Sequence, residues 1–356
     1  MDTTNLADIL AGYDTSDLTI ATVCSHSSLQ LFHGARLEGF RTLGITVGDE
    51  RKRFYDAFPK AKPDSFLMVK NYKEILSLTD ELQEQNAVII PHGSFVEYLG
   101  PDRFLSLSLP TFGNRNVLMW ESDRNKEREW LESAGLTMPE EIKDPKNIEK
   151  PVIVKYHGAK GGKGFFIAKT FDEFKRRIQP DIPYVIQEFV LGTRYYLHYF
   201  YSPINNTGYR LKKGSLQLLS MDRRDETTID EVQRLGSIAE LEEIGIHPTF
   251  VVTGNIPIVM RESLLPKVFN MGKQVVERSL ELFGGIIGSF CLETVVTEHL
   301  EFKVFEISAR IVAGTNPYVN GSPYSEFIEP GLSTGKRIAQ EIKYAAKQDK
   351  LGEILS

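Results

Sequence analysis

In the first third of the chain, short β-branched apolar runs alternate with segments whose apolar residues recur every three to four positions. Residues 18–23 read as a strand, and 27–38 then carry Leu29, Leu31, Phe32, Ala35 and Leu37 at helical spacing. Residues 43–47, 66–69 and 87–90 read as three further strands, with a helical stretch over 72–85 before the last. Strands alternating with helices predict a parallel sheet covered on both faces. In such sheets ligands gather beyond the carboxyl ends of the strands.

The pattern then changes. Residues 114–134 read as a charged helical connector, with Ser122 and Asp123 as caps and Gly135 as a stop. Three prolines among many charges over 138–151 mark a linker or domain edge. From 150 to 330 the chain is mostly strand, broken by a helix at about 263–283, and an amphipathic helix over 334–348 closes it. Neither an internal repeat nor a low-complexity tract is present. The expected class is α/β and α+β, with a doubly wound N-terminal domain over residues 1–123 and a two-lobed region over 124–356.

Composition narrows the function. The 356 residues are 41% hydrophobic and 25% charged, which suits two or three globular domains and excludes disordered or collagen-like chains. Lys plus Arg is 42 and Asp plus Glu 48, a net charge of -6 without a basic run, which argues against a nucleic-acid partner. No apolar run reaches the ~18–20 residues of a membrane span, and the first residues show no signal-peptide pattern. Two cysteines, Cys24 and Cys291, are too few for a disulfide framework, so the cytoplasm is the expected compartment.

Two turns stand at equivalent ends of the sheet: Cys24-Ser25-His26-Ser27-Ser28 after the first strand, and Pro91-His92-Gly93-Ser94 after the fourth. Each opens a helix, whose free N–H groups suit an anion. The alternative is that these serines are only helix caps.

The sharpest local signal is a strand ending in Lys155, then Gly158-Ala159-Lys160-Gly161-Gly162-Lys163-Gly164, then an apolar strand. Glycines let backbone approach a phosphate chain and lysines neutralise it. Without a Gly-Lys-Ser/Thr or a following helix this is not a Walker A loop. It reads as a glycine-rich β-hairpin over nucleotide phosphates, against the plainer reading of a surface hairpin. About 30 residues on, Tyr184-Val185-Ile186-Gln187-Glu188-Phe189-Val190 offers backbone edges for adenine and a carboxylate for ribose. Two later strands carry Glu293 and Glu306, whose carboxylates suit a hard divalent cation. Glu306, Ser308 and Arg310 alternate along one strand face. Thr253-Gly254-Asn255-Ile256-Pro257 and the run from Arg310 to Asn316 read as substrate loops or plain turns. His33, His198, His247 and His299 show no partner in the sequence and read as structural or solvated.

Lysine strand, glycine hairpin, Gln-Glu strand and paired glutamates, behind an N-terminal α/β domain, resemble the ATP-grasp superfamily. More narrowly the chain resembles the archaeal formate-dependent formaminoimidazole-carboxamide ribonucleotide synthetases. That resemblance rests on residues 21–29, 91–95, 112–115, the hairpin, 253–257 and 306–310, and so covers nearly the full chain. It implies a pre-ATP-grasp domain followed by an ATP-grasp fold with a lid lobe at about 147–195. It implies a ligase, forming a carbon–nitrogen bond, in which ATP activates formate as formyl phosphate. The aminoimidazole-carboxamide ribonucleotide AICAR then captures the formyl group, giving FAICAR, ADP and phosphate on the way to IMP. By this resemblance Lys155, Lys160 and Lys163, with Gly158, Gly161, Gly162 and Gly164, hold the ATP phosphates. Gln187, Glu188, Phe189 and Val190 hold the adenosine, and Glu293 and Glu306 hold Mg²⁺ or Mn²⁺. His26, Ser27, Ser94, Asn255 and Thr315 hold AICAR. Arg310, with Lys155 also catalytic, stabilises the acyl phosphate and its adduct. Ser308 stands where many ATP-grasp enzymes carry Asn. The expected partners are ATP, formate and AICAR, not nucleic acid or membrane, and a homo-oligomer is compatible with them. The runner-up readings are a related ligase joining another small acid to an amine, and a nucleotide-binding sensor without turnover.

Overall fold

The computed structural model describes residues 3–156, 165–227 and 251–356. The first sheet contains β1 (Thr19–Val23), β2 (Arg41–Thr46), β3 (Ser65–Met68) and β4 (Ala87–Ile89), all parallel, in the order β3-β2-β1-β4. Every residue of β1 is buried, as expected of a strand covered on both faces. The chain steps outward from β1 to β3 and then crosses to the other side of β1 for β4. That reversal opens a crevice between the carboxyl ends of β1 and β4, where the two His/Ser turns lie.

The helix Ser28–Leu37 follows β1 and packs against the closing helix Thr334–Lys347. Backbones meet at this crossing: a Cβ on Gly34 would overlap Lys336, and one on Gly335 would overlap Gln30. The single helix expected over 72–85 is divided at Leu78 into a 3₁₀ segment, Tyr72–Ser77, and a helix, Thr79–Glu84. Each part turns its own apolar side chain inward, Ile75 and Leu82 respectively.

A three-stranded antiparallel sheet follows, made of β5 (Val152–Tyr156), β6 (Phe165–Ala168) and β7 (Tyr184–Glu188) in the order β6-β5-β7. The larger antiparallel sheet contains β8 (Thr193–Ser202), the short β9 (Tyr209–Arg210), β10 (Ser215–Glu226), β11 (Val252–Pro257), β12 (Gly288–Val296) and β13 (Phe302–Ser308). Its order is β11-β10-β8-β12-β13, with β9 on β10. The helix Leu265–Phe283 covers one face, burying Val268, Val275 and Val276. It contacts Tyr199 so closely that a Cβ on Gly272 would stand 2.8 Å from that ring.

The connector holds the exposed edge of β13. Asp123 caps the helix Arg124–Ser133 by accepting from the N–H groups of Asn125 and Lys126. That helix and the short Leu118–Glu121 then aim Glu127 at Ile307 N–H (2.7 Å) and Glu121 at Ala309 N–H (3.1 Å). Thr137 O takes Val304 N–H at 2.8 Å. Two side chains and a carbonyl thus satisfy donors that a further strand would otherwise claim. Among the described residues no helix is long and apolar enough to cross a membrane.

Candidate active site

Glu293 on β12 and Glu306 on β13 stand directly opposite in the strand register, with a bulge immediately after Glu293. Cross-strand neighbours at such positions project from the same face. Glu293 is buried and held by Arg224 of β10, whose Nη2 and Nη1 donate to its two oxygens at 2.8 and 3.2 Å. Arg224 reaches there by lying over the Tyr196 ring, 3.8 Å from its centroid. Glu306 makes no hydrogen bond or ion pair with another described residue and is open to the cleft. Protein crowds it from the other sides. That loss of hydration, with the Glu293 charge opposite, pushes its carboxyl up to about 7.

Around this pair the charges alternate. Lys155 lies at the end of β5, with its Nζ 5.9 Å above the Phe305 ring. Burial pulls its ammonium below the usual lysine range, against the stabilising charge of Glu306. Glu127 is pushed well above the ordinary carboxylate range, by burial first and then by Glu306. Two facing carboxylates that repel each other beside a lysine suit a divalent cation carrying phosphates. Among the described residues no group of three or more His, Cys, Asp or Glu gathers, so phosphate and water would complete its shell. Ser308 Oγ lies 3.5 Å from Glu293 Oε1, in contact with the pair.

Gly158, Lys160, Gly161, Gly162, Lys163 and Gly164 lie outside the described residues. The strands that flank them are paired antiparallel, Lys155 against Phe165. On β7 both backbone edges are occupied, one by β5 and the other by residues 140–142. What the strand leaves for a base is therefore confined to its end. Phe189 N–H is also used, donating to Pro151 O at 3.1 Å, so among the described residues the backbone groups left open there are Glu188 C=O, Phe189 C=O and Val190 N–H. Glu188 accepts from Lys303 Nζ at 2.7 Å and stays ionised below its usual range despite partial burial. Gln187 Oε1 is buried without a partner among the described residues.

In the crevice the rings of His26 and His92 stack at 5.9 Å. His92 is fully buried, its Nε2 3.2 Å from Val23 O and its Nδ1 without a partner among the described residues. Burial, reinforced by the Arg310 charge, pushes His26 down to about 4, and burial with the His26 neighbour pushes His92 down to about 3. Both are neutral imidazoles near pH 7. Ser27 holds a left-handed backbone, φ 67, and its Oγ lies 3.2 Å from His26 Nδ1. Neither the Ser27 nor the His92 side chain caps the helix it precedes, so capping does not account for these turns. Ser94 is half-buried beside the Tyr98 hydroxyl, which also meets Ser25 Oγ at 3.1 Å.

Arg310 lies under Gly93, where a Cβ would come within 3.5 Å of its guanidinium carbon. It is paired with Glu121 at 2.9 Å, while its Nε is buried without a partner among the described residues. His26 senses the charges of both Arg310 and Arg224, so the crevice and the glutamate pair share one electrostatic site. On β11, Asn255 Nδ2 donates to Asp222 Oδ2 at 2.8 Å, and Asp222 Oδ1 lies 2.5 Å from His198 Nε2. His198, partnerless in the sequence, is therefore half of a buried pair that anchors Asn255. The partner is 24 residues away and reaches it only because β8 and β10 are neighbours. Thr315 is buried, accepting from Gln30 and donating to Val312 O. His299 is exposed, 3.7 Å from Glu298, and His247 lies outside the described residues.

Sequence reasoning missed Arg224, Glu121, Glu127 and Asp222. A signal existed for two of them: Glu121, Arg124 and Glu127 recur every three residues, on one side of a helical connector. Nothing local pairs Arg224 with Glu293, because they are 69 residues apart.

Residues 20–142 match a family model described as a protein of unknown function (DUF1246), and residues 178–356 one described as a domain of unknown function (DUF1297). The chain is 65% identical over 351 residues to the 5-formaminoimidazole-4-carboxamide-1-(beta)-D-ribofuranosyl 5'-monophosphate synthetase of Methanococcoides burtonii, covering 99% of this chain and 98% of that one. The synthetase of the same name from Ignicoccus hospitalis is 47% identical over 357 residues, covering 98% and 99%. The chain belongs to this synthetase family. A solved family structure, the IMP biosynthesis protein PurP from Thermococcus kodakaraensis, superposes with a TM-score of 0.74 at 30% identity, over 95% of this chain and all of that one. An N5-carboxyaminoimidazole synthetase from Staphylococcus aureus complexed with ADP shares the fold, with a TM-score of 0.59 at 14% identity over 91% and 79% of the two chains. The architecture is that of the ATP-grasp ligases, as the sequence led one to expect.

Proposed function

We propose that this chain is an ADP-forming ligase that joins formate to the 5-amine of AICAR, giving FAICAR in purine (IMP) biosynthesis. The observation that carries it is the opposed Glu293–Glu306 pair with Lys155 beside it, sharing one field with the His26 crevice. In this reading a formate oxygen attacks the γ-phosphorus of ATP and ADP leaves. The amine nitrogen then attacks the formyl carbon, and phosphate departs with the carbon–oxygen bond.

Phosphoryl transfer asks mainly for positioning and charge neutralisation. Lys155 neutralises phosphate oxygens, and its reduced hydration strengthens that attraction. Lys160 and Lys163, with the glycines around them, would cover the same phosphates. A divalent cation, Mg²⁺ or Mn²⁺, held by Glu293 and Glu306, would screen the phosphate charges. The backbone at Glu188, Phe189 and Val190 would meet adenine, and the Glu188 carboxylate the ribose once released from Lys303. His26, Ser27, Ser94 and Asn255 orient the ribonucleotide as neutral donors and acceptors. Arg310, fixed by Glu121, offers its guanidinium to the acyl phosphate and its adduct. Residues 1–123 would be the pre-ATP-grasp part, 124–356 the ATP-grasp region, and about 147–195 its lid lobe, in a cytoplasmic enzyme.

The test is coupled turnover. ADP release should require formate and AICAR together, and the product should be the N-formyl nucleotide. Release with another small acid but not formate would make the chain a related ligase, and nucleotide binding without release a sensor.

A further inference from the structure

Asp222 and Arg224 alternate along β10, so their side chains share one face of the large sheet. On that face Arg224 holds Glu293. Asp222 is fully buried and meets a nitrogen at each oxygen. His198 Nε2 lies 2.5 Å from Oδ1, and Asn255 Nδ2 donates to Oδ2 at 2.8 Å. The 3₁₀ turn Ala313–Tyr318 covers the pair. A Cβ on Gly314 would overlap Asp222 Oδ1 and stand 2.6 Å from His198 Nε2. The residue before that turn reaches the crevice, since Val312 O accepts from Ser27 Oγ at 3.5 Å and from Thr315 Oγ1 at 3.0 Å. The turn therefore ties the buried pair to the turn that carries Ser27.

The two ends of an asparagine amide have the same shape and opposite hydrogen-bonding character. Half-buried on the outer strand β11, Asn255 has room to turn either end to the cleft. Asp222 decides between them. An amide oxygen beside its carboxylate would set oxygen against oxygen, so the nitrogen turns inward and Oδ1 turns outward. Asn255 Oδ1 has no hydrogen-bond partner among the described residues. His198, on the other carboxylate oxygen, keeps Asp222 from swinging away. We infer that Asp222, held by His198, is a positioning residue that makes Asn255 an acceptor toward the ribonucleotide, so that the site selects a base bearing an N–H donor there. A carboxylate at that place would be repelled by the Asn255 oxygen. AICAR has two such donors, its 5-amine and its 4-carboxamide. The inference rests on Asn255 as a substrate contact, as given under Proposed function, and adds what that contact discriminates.

The experiment compares AICAR with two counterparts, one with a carboxylate in place of the 4-carboxamide and one lacking the 5-amine. All three are titrated calorimetrically into the wild-type chain and into Asp222→Asn, with ATP affinity and melting temperature as controls for folding. The wild type should prefer AICAR to the counterpart that lacks the recognised N–H. In Asp222→Asn the new amide turns its oxygen to His198 and its nitrogen to Asn255, which then flips and offers its own nitrogen to the base. That preference should shrink by about twofold to tenfold, the usual effect of a neutral hydrogen bond. A smaller preference over the carboxylate assigns the carboxamide nitrogen, and a smaller preference over the deamino form assigns the amine. A purely structural role for Asp222 would weaken all three ligands equally, and that result overturns the inference, as do unchanged preferences at a wild-type melting temperature. If Asp222→Asn melts early, a neutron structure of the wild-type AICAR complex decides: Asn255 Oδ1 accepting from a base N–H upholds the inference, and Nδ2 turned to the base overturns it. These failures leave the reading of the site as an AICAR site standing. A wild type that binds none of the three ligands fails that reading itself, and this inference with it.

Discussion

Arg224 grips Glu293 through both oxygens while lying flat on the ring of Tyr196. The pair is almost dry, with 17% of the Arg224 side chain and 5% of the Glu293 side chain exposed. Its arginine is the buried carboxylate's ion-pair partner, so Arg224→Leu leaves Glu293 buried without it. Removing one partner of a buried pair typically costs about 3–5 kcal/mol. The variant should lose about that much in denaturant unfolding, and Mg²⁺ with ATP should restore part of it by replacing the missing positive charge. A loss below about 1 kcal/mol would mean that the Arg224–Glu293 pair contributes little to the fold.

Glu306→Gln separates the glutamate pair from the crevice. Glu306 stands opposite Glu293, whereas the His/Ser turns stand at the ends of β1 and β4. The amide keeps the shape and removes the charge, so ADP release should fall by orders of magnitude while AICAR affinity stays within about threefold. Collapse of AICAR affinity with surviving turnover would reverse the assignment of these residues.

How much of this was legible before the structure depends on distance along the chain. The parallel strands and the helix after β1 follow from local periodicity. Glu293 and Glu306 were visible because 13 positions place them on neighbouring strands of one hairpin. His198 was not, since its partner Asp222 becomes adjacent only when β8 and β10 pair. The connector's glutamates recur every three residues, but that spacing does not say that they close an unpaired strand edge. Occupation of both edges of β7 was hidden for the same reason: residues 140–142 read as part of a linker and act as a strand partner.

The two crevice histidines make acid a specific stress. Their ordinary value is 6.5, and burial holds His26 near 4 and His92 near 3. Between those limits the unfolded chain binds protons that the native chain refuses, so stability must fall as pH drops below about 6.5. For the fully buried His92 the loss should reach roughly 2 kcal/mol at pH 5. His92→Gln should flatten the fall in melting temperature between pH 6.5 and 4 while retaining a donor for Val23 O. An equally steep fall in that variant would assign the acid sensitivity to other groups.

The protonation state of His26 also sets how much its loss should cost the substrate. A charged histidine donor would contribute about 1.5–3 kcal/mol, but the buried ring beside Arg310 is neutral, and neutral hydrogen bonds contribute about 0.5–1.5 kcal/mol. His26→Ala should therefore weaken AICAR by about twofold to tenfold, with ATP affinity unchanged. Because the imidazole carries no charge to lose, the fold-change should be the same at pH 6 and pH 8. Its Nδ1 meets Ser27 Oγ at 3.2 Å, and Ser27 sits in a left-handed conformation, so the ring also steadies the turn. A purely structural role would lower the melting temperature and leave AICAR affinity untouched. Measuring both on one variant decides the matter: weaker AICAR binding with a melting temperature near wild type makes His26 a substrate contact, and the opposite pattern makes it a support for the Ser27 turn.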